Sequence, residues 1–447
     1  MSRVTSPIVR MTVGGIDSEF RGSDIISATL VQQIKPLSIE LPFSELEVTI
    51  YTTDTRYSMF SDGSFYNSLS RRQPLDLYES INGIELLLGR FYLDDWKYIS
   101  QNKFWIKGVD AIGVLDTVPF DGYFWSTNTT LSSIIDTIMS SQNIDYAITG
   151  GIGSTLLRGW IAPGTIRSAL QQAAFAAGAT VVGIKSEVVI EKTKLPLLDA
   201  NYTLEINDTQ KKDTGELSLL PFVTEIELIS HDYSKGAELK TIFDKWLAAG
   251  SYKITFQEPY YDIVATGAGY TLEELTTEDG ITLTTEGGDP LVVEGDFIFG
   301  PNSIYLSVPE PGGDVLIQGY PWVDSQQSHQ FYEDVTPDIK KNRLSISSAT
   351  LVTPEVAEDV LNRLTTYYRQ RYSQKFTVLV PALPTRYYGD PPPYGDGLYE
   401  ADPTIRINEI CRATTYSGKR IRGLIEKLSV DLAMGFIIEI ENIGVET

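Results

Sequence analysis

Apolar and polar positions alternate through the first 120 residues of the chain. In the run LEVTIYT, Leu46, Val48 and Ile50 alternate with polar side chains, which is the period of a half-buried strand. Two longer runs rich in Val, Ile, Phe, Tyr and Trp follow at residues 84–99 and 104–116, and a short polar turn separates them. We interpret this region as a β-barrel or β-sandwich.

The period changes near residue 130. Thr130 is a good helix N-cap, and five apolar side chains after it recur at the spacing of one helical face. They are Leu131, Ile134, Ile135, Ile138 and Met139. A second helix is predicted to begin at Thr165 and to end at Gly178, and residues 180–192 are predicted to form a short hairpin. Residues 119–195 therefore form a predicted small α/β module between β-rich regions.

Strand patterns return in the second half of the chain. They are present at residues 222–234, 251–265 and 375–383, and residues 420–444 are predicted to form a final antiparallel pair. Residues 384–403 are rich in Pro and Gly, which indicates an exposed loop because these residues do not fit a regular ladder.

The clearest helix is predicted at residues 354–372. Thr353 is placed to cap it, and Pro354 occupies its first position, where the missing N–H of proline costs nothing. Its apolar stripe comprises Val356, Val360, Leu361, Leu364, Tyr368 and Tyr372. The tyrosines Tyr367, Tyr368 and Tyr372 form mainly a packing face of this helix, and a role as interface aromatics is the alternative.

A long acidic stretch lies between these elements. Residues 254–339 contain sixteen Asp or Glu residues and no Lys or Arg, and the repeated LTTE at 275–278 and 283–286 predicts a pair of hairpin strands. The candidate acidic surface comprises Glu273, Glu274, Glu278, Asp279, Glu286, Asp289, Glu294 and Asp296. It is either the lining of a channel that repels a polyanion or a solvated, partner-facing surface. Calcium binding at the Gly-Asp turns is also left open, although no EF-hand spacing is present.

Composition limits the classes of protein to consider. The chain has 447 residues, 42% of them hydrophobic and 21% charged, which indicates a globular protein of two to four domains. Its net charge of −23 disfavours nucleic acid or an anionic membrane as an attractive partner. No secretion signal and no apolar run of roughly 18 residues is present, so we expect no membrane anchor. The single cysteine, Cys411, excludes an internal disulfide framework and suits a reducing compartment.

No motif for catalysis or metal binding is present. The two histidines, His231 and His329, lack metal-ligand spacing and are interpreted as solvated or as hydrogen-bonded in the core. Cys411 follows an apolar residue and is interpreted as a small buried side chain, with a Cys–His nucleophile pair as the alternative. Acidic pairs such as Asp94 with Asp95 arise by chance among 59 acidic residues. We therefore assign no catalytic residue, cofactor or metal ligand and predict that the chain is not an enzyme.

Four stretches in order resemble the baseplate hub, or tail-tube terminator, proteins of tailed phages and of phage-derived contractile particles such as tailocins. They are GRFYLDDWKYISQNKFWIKGVDAIGVLDTVPF (89–120), TIRSALQQAAFAAGATVV (165–182), RLSISSATLVTPEVAEDVLNRLTTYYRQRYSQKFTV (343–378) and GKRIRGLIEKLSVDLAMGFIIEIENIG (418–444). The loop at 381–403 departs from the family because it is longer and richer in Pro than a minimal hub requires. No wall-degrading segment follows the last hairpin, so we expect any such activity in another protein.

The resemblance implies an α+β, β-dominated fold with two tube-like β-barrel domains. The first barrel is expected at residues 1–118 and the small α/β domain at 119–195. The second barrel is expected to combine residues 196–255 and 340–447, with an acidic β-rich insertion at 256–339.

The resemblance also implies a structural function. The expected protein is a baseplate hub: a homotrimeric ring that joins the sixfold tail tube to a threefold central spike or fibre, around a channel for DNA or a tape-measure protein. The expected partners are the tail tube protein, the spike or fibre protein, the tape-measure protein and other baseplate proteins, without tight binding of nucleic acid. The expected location is the tail of a virion or phage-like particle that is assembled in the bacterial cytoplasm.

Two other functions stay open at this point. One is a particle-associated glycan-binding β-sandwich module, and the other is a hydrolase with an unrecognised pair of carboxylates. The sequence also leaves open whether the particle is a phage or a tailocin, whether its tail contracts, and which host it meets.

Overall fold

The computed structural model describes the chain in segments. These are residues 5–57, 65–81, 84–100, 102–140, 142–199, 203–208, 211–213, 215–267, 273–274, 292–293, 299–300, 303–308, 310–333, 342–379, 405–433 and 437–447. Within them β-strands dominate, together with four α-helices. Short 3-10 helices lie at Gly22–Asp24, Thr55–Tyr57, Tyr66–Ser68 and Ile152–Ser154.

Seven strands and one short helix form the first part of the chain. They are β1 (Thr5–Val13), β2 (Ile16–Arg21), β3 (Ile25–Gln33), β4 (Glu45–Tyr51), β5 (Pro74–Ile81), β6 (Ile84–Ser100), β7 (Lys103–Val109) and α1 (Ala111–Leu115). The alternation predicted in β4 is confirmed, because Leu46, Val48 and Ile50 are all buried.

The strand predicted at residues 104–116 is wrong beyond Val109, where the chain turns into α1. Asp110 causes the change. Its carboxylate accepts hydrogen bonds from the backbone N–H groups of Ser44 at 2.9 Å and Gly113 at 3.0 Å. Capping of this kind satisfies the free donors at the start of a helix, and a pattern of apolar residues alone does not reveal it.

The α/β module follows. Its elements are β8 (Pro119–Phe120), β9 (Tyr123–Thr130), α2 (Leu131–Met139), β10 (Tyr146–Ile148), β11 (Leu156–Ile161), β12 (Gly164–Thr165), α3 (Ile166–Ala177), β13 (Ala179–Ile184) and β14 (Glu187–Lys192). Both predicted helices and the predicted hairpin are confirmed. The hydroxyls of Thr130 and Thr165 accept from the third backbone N–H of their helices, at 3.3 and 3.2 Å. Gly178 ends α3 with a φ of 66°, which favours glycine.

Eleven strands describe the region that includes the acidic stretch. They are β15 (Thr203–Ile206), β16 (Glu216–Leu219), β17 (Glu225–Lys235), β18 (Lys240–Leu247), β19 (Gly250–Thr255), β20 (Tyr260–Gly267), β21 (Glu273–Glu274), β22 (Val292–Val293), β23 (Phe299–Gly300), β24 (Ser303–Val308) and β25 (Gly313–Tyr332). The two LTTE copies lie outside the described residues. The strand predicted at 251–265 is two strands, β19 and β20, and the 20-residue β25 had no clear sequence pattern.

The last part of the chain contains one helix and five strands among its described residues. They are β26 (Arg343–Ile346), α4 (Pro354–Tyr368), β27 (Tyr372–Leu379), β28 (Ile410–Thr414), β29 (Arg420–Asp431) and β30 (Ile437–Glu446). The final antiparallel pair is confirmed as β29 and β30. The predicted helix is four residues too long, because Tyr372 opens β27. There it lies opposite Gly444 on one side and Leu219 on the other, and pairing with two strands holds it extended.

One 13-stranded sheet joins the beginning and the end of the chain. Its order is β16-β27-β30-β29-β3-β4-β7-β6-β5-β1-β2, and β28 pairs with β29 and carries β15 on its other side. The joint is the antiparallel pair of β29 with β3, where Lys427 lies opposite Gln33 and Asp431 opposite Thr29. A second large sheet has the order β18-β25-β17-β26, and β20 also pairs with β25.

Three clusters of buried apolar side chains hold these layers together. The largest lies on the 13-stranded sheet and combines side chains such as Val48 and Leu428 from both ends of the chain. The second surrounds α2, α3 and α4, with Leu170 at its centre. A small third cluster, which includes Phe256 and Ile317, stabilises the strands around the first half of β25.

Candidate assembly edges and binding cleft

Within the part of the chain that the structure describes, the main path of the 13-stranded sheet ends at β2 and at β16, and β15 beside β28 is a further edge strand. A strand at the end of a sheet presents backbone donors and acceptors that can pair with another chain. The β2 end carries charged side chains: Arg10 of the neighbouring strand lies 2.6 Å from Glu19 and 2.7 Å from Glu85. The β16 end instead exposes Leu219, at 62%. The two ends of the sheet therefore differ in chemistry.

The candidate acidic surface lies almost entirely outside the described residues. Glu273 and Glu274 form β21 and pair with Val293 and Val292 of β22. Glu278, Asp279, Glu286, Asp289, Glu294 and Asp296 are not among the described residues. Channel lining or partner contact by this surface stays a prediction.

The candidate interface tyrosines occupy three different environments. Tyr367 is buried, and its hydroxyl donates to the carboxylate of Glu426 at 2.6 Å. Tyr368 is half-buried against the same cluster, with the two rings 5.0 Å apart. Tyr372 is half-buried at the start of β27, and its hydroxyl lies 3.4 Å from Glu446. Packing explains Tyr367 within the chain itself, and an interface role of the group stays a prediction.

The groups that could have formed a nucleophilic site are engaged elsewhere. Cys411 is fully buried, burial raises the pKa of its thiol to about 12, and its sulfur accepts a hydrogen bond from Asn442 at 3.0 Å. His329 is bonded to the hydroxyl of Ser230 at 2.9 Å. His231 is buried, as the core interpretation expected, and both of its ring nitrogens are hydrogen-bonded.

A cleft of about 520 Å³ opens where the second sheet meets the α/β module. Sequence reasoning missed it, because its residues come from six separate parts of the chain. They are Trp160, His231, Tyr233, Lys240, Glu258, Pro259, Pro321, Trp322, Val323, Asp324, Gln326, Ser347 and Thr350. Two of the six tryptophans lie here, which is the one sequence signal that could have drawn attention to it.

The pairing of β17 with β25 positions the residues on the floor of the cleft. On the antiparallel pair β17–β25, His231 lies opposite Gln326 and Tyr233 opposite Asp324. Because side chains on a strand alternate between faces, these residues share one face of the sheet. Gly159 brings β11 close to this face: its φ is +130°, and a Cβ there would lie 2.4 Å from the carbonyl oxygen of Thr350. Glycine is therefore required beside Trp160.

Comparison with known proteins gives matches only among solved structures. No family model matches the sequence, and no curated protein does. A tail protein from Neisseria meningitidis aligns with a TM-score of 0.51 at 9% identity, over 98% of this chain and 96% of that one. The chain has the fold of that tail protein.

Two further matches to this tail-protein fold are weaker. The 43 kDa tail protein of prophage MuSo2 from Shewanella oneidensis has a TM-score of 0.48 at 12% identity, over 97% of this chain and 98% of that one. A prophage tail protein from Listeria monocytogenes has a TM-score of 0.46 at 9% identity, over 98% and 95%.

Among the described residues, no helix has both the length and the apolar character needed to span a membrane. The same residues contain no group of three or more His, Cys, Asp or Glu side chains that could hold a metal ion.

Proposed function

We propose that the chain is a structural protein of a phage-like tail, and that its place there is the baseplate hub. The observation that carries the proposal is the fold, which follows a tail protein from Neisseria meningitidis over 98% of this chain. The order of the four sequence stretches that resemble hub proteins supports the finer assignment. The proposal assigns no catalysis and no cofactor to the chain.

In the proposed hub, three copies form a ring, and each copy contributes two tube-like barrel domains. The first comprises residues 1–118 and the second residues 196–255 with 340–447, while 119–195 and 256–339 are additions. The pairing of β3 with β29 supports a joint between the two units, because it places strands from residues 1–118 and 340–447 side by side in one sheet; β17, β18 and β26 lie in the second large sheet. Two similar units per chain in a trimer match a sixfold tube to a threefold spike or fibre.

The proposed ring closes through the ends of the sheet. Strand β16, with its exposed Leu219, would meet a neighbouring copy by strand pairing and apolar contact. A permanent interface of this kind buries more than about 2,000 Å². The partners would be the tail tube, spike or fibre, tape-measure and other baseplate proteins, within a particle assembled in the bacterial cytoplasm.

The net charge suits a channel through which DNA or a tape-measure protein passes. With −23 on each chain, the wall would repel a polyanion rather than retain it. The acidic stretch at 254–339 would either line this channel or face a partner.

Light scattering of the purified chain, with negative-stain imaging of the same fractions, tests the proposal. We expect a species of three times 49.7 kDa with a central hole and two similar densities per copy. Leu219→Lys at the sheet end should shift the species towards the monomer. Leu198→Lys, at an equally exposed leucine (62%) away from the sheet, is the matched control. A monomer at every concentration, also when mixed with tail tube protein, contradicts the hub.

A further inference from the structure

The cleft between the second sheet and the α/β module combines aromatic walls with polar groups. Trp160, Tyr233 and Trp322 supply aromatic surface. Phe124 supports two of them from behind, with ring centroids 4.6 Å from Trp322 and 5.4 Å from Tyr233. The volume of about 520 Å³ lies within the range of small-ligand sites, about 300–1,000 Å³.

The polar groups on the cleft floor are held in place. The carboxylate of Asp324 contacts Nδ1 of His231 at 2.8 Å and accepts from the amide of Gln326 at 3.0 Å, both through the same oxygen, Oδ2. The other ring nitrogen of His231 lies 3.1 Å from the carbonyl oxygen of Ser347. This network orients Asp324 before any ligand binds, which lowers the entropic cost of binding.

Two buried polar atoms of the cleft residues have no partner among the described residues. They are Oδ1 of Asp324, an acceptor, and Nε1 of Trp160, a donor. Leaving such atoms unsatisfied costs free energy, so a ligand that supplies both a hydroxyl donor and an oxygen acceptor would bind more tightly.

The cleft carries charges of both signs. The cationic Lys240 lies on its wall with the acidic Glu258 and Asp324. A strongly anionic ligand would meet both carboxylates, and an apolar ligand would leave Asp324 and Trp160 unsatisfied. A neutral ring compound with hydroxyl groups on its edge and C–H groups on its faces fits both the aromatic and the polar surfaces.

We propose that this cleft is a binding site for a neutral sugar of a glycan, with Trp322 and Tyr233 as the apolar wall and Asp324, Gln326 and Trp160 as hydroxyl partners. This site is additional to the assembly function and does not depend on ring formation. It provides a place on the chain for the glycan binding that the sequence left open as an alternative.

Saturation-transfer NMR and tryptophan fluorescence titration of the full chain test the site. The probes are maltotriose, cellotriose and tri-N-acetylchitotriose, with trigalacturonate as the anionic counterpart. We expect at least one neutral trisaccharide to bind with a Kd of about 1 mM or tighter and trigalacturonate to bind more weakly. Because both readouts use the isolated chain, they are independent of the oligomer measurement that tests the hub.

Three variants locate the binding. Trp322→Ala should weaken sugar binding about tenfold or more. Gln326→Ala should weaken it about threefold, and folding does not require this exposed side chain. Trp246→Ala, at a tryptophan that is 60% exposed and outside the cleft, should leave affinity unchanged.

Three results overturn the proposal. One is that no neutral trisaccharide binds at about 10 mM, well above the expected Kd. Another is that binding persists in both Trp322→Ala and Gln326→Ala. The third is that β17 and β25 gain protection from hydrogen exchange only in the oligomer and no sugar binds. That result would assign the cleft to a protein segment instead.

Discussion

Two interiors of this molecule differ in chemistry although both lie deep in the fold. The interior along α3 of the α/β module is mainly apolar: nine of the twelve residues of α3 are buried, and Gln171 is the polar one among them. The interior where Tyr367 of α4 meets β29 contains the carboxyl group of Glu426. The buried residues of α3 include no titratable side chain, whereas the second interior contains a titratable carboxyl group.

Glu426 is the residue that makes the second interior sensitive to pH. It occupies a β-bulge in β29, where the register with β30 shifts between Ile425 and Lys427. The residue keeps some exposed surface, but its carboxyl group is enclosed, and burial raises its pKa to about 8. The hydroxyl of Tyr367 donates to this carboxyl and offsets part of the cost of its charge. The stability that these two interiors contribute is therefore expected to differ in its dependence on pH.

The largest expected effect is a loss of packing in the apolar interior. Leu170→Ala in α3 removes a fully buried side chain and should lower the free energy of unfolding by about 2–5 kcal/mol. Urea denaturation at pH 6 and pH 8 should give the same loss. Leu156→Ala, at a half-exposed leucine of the same module, is the control and should stay within about 0.5 kcal/mol of the parent. If the loss of unfolding free energy in Leu170→Ala differs between pH 6 and pH 8, the contrast between the two interiors is wrong.

The polar interior should show the opposite behaviour. Because folding raises the pKa of Glu426 above that of the unfolded chain, its contribution to stability is complete below about pH 4.5 and is lost as pH rises to about 8. Glu426→Gln stays neutral and can still accept from Tyr367. It should be more stable than the parent by about 1–3 kcal/mol at pH 8, and the difference should vanish near pH 4.5.

Thermal unfolding from pH 4 to pH 9 measures this difference. The general repulsion of a chain with net charge −23 affects parent and variant alike, so only the gap between the two curves is informative. Parallel curves over the whole range would show that Glu426 titrates normally.

Two tyrosines of the same region provide a smaller, matched test. Tyr367→Phe removes the donor to the enclosed Glu426 and should cost about 1–2 kcal/mol in denaturant unfolding. Tyr372→Phe removes a long contact with the exposed Glu446 and should cost less than about 0.5 kcal/mol. Equal losses would mean that the enclosed carboxyl group does not raise the cost of removing the tyrosine hydroxyl.

The smallest effect is expected at a helix cap of the apolar module. Thr165→Ala removes the hydroxyl that accepts from Ser168 and should cost about 1 kcal/mol, at any pH between 5 and 8. Thr165→Ser retains the acceptor and should restore most of the loss. If serine does not restore it, packing of the methyl group rather than capping explains the effect.

The sequence predicted the elements that have local causes. The helices after Thr130 and Thr165 each combine a cap with a 3.6-residue period, and Gly178 ends the second; all of these signals are local in sequence. Strand β25 has no such signal in its second half, where WVDSQQSHQ lacks alternation. It is a strand because β17 pairs with it along eleven residues, and that cause is distant in sequence.

The cleft could not be predicted for the same reason. Trp160, His231 and Trp322 have no spacing that connects them. The register of β17 with β25 brings His231 near Trp322, and the close approach of β11 at Gly159 adds Trp160. The buried carboxyl of Glu426 was equally hidden, since charged residues at strand positions usually face solvent and a bulge changes which way they point. Domain limits and the interface role of the tyrosines stay predictions, because they depend on contacts between copies of the chain.

The pairing of β3 with β29 has a consequence for the order in which the protein is made. The two strands lie roughly 400 residues apart in sequence, so β3 leaves the ribosome long before its partner exists. At about 5–20 residues per second, the wait is on the order of 20–80 s. During translation β3 therefore has one unpaired edge, which β29 later covers in the 13-stranded sheet. Until then this edge is exposed to other nascent copies of the chain. Chaperone protection of the nascent chain during this interval would govern the yield of soluble protein.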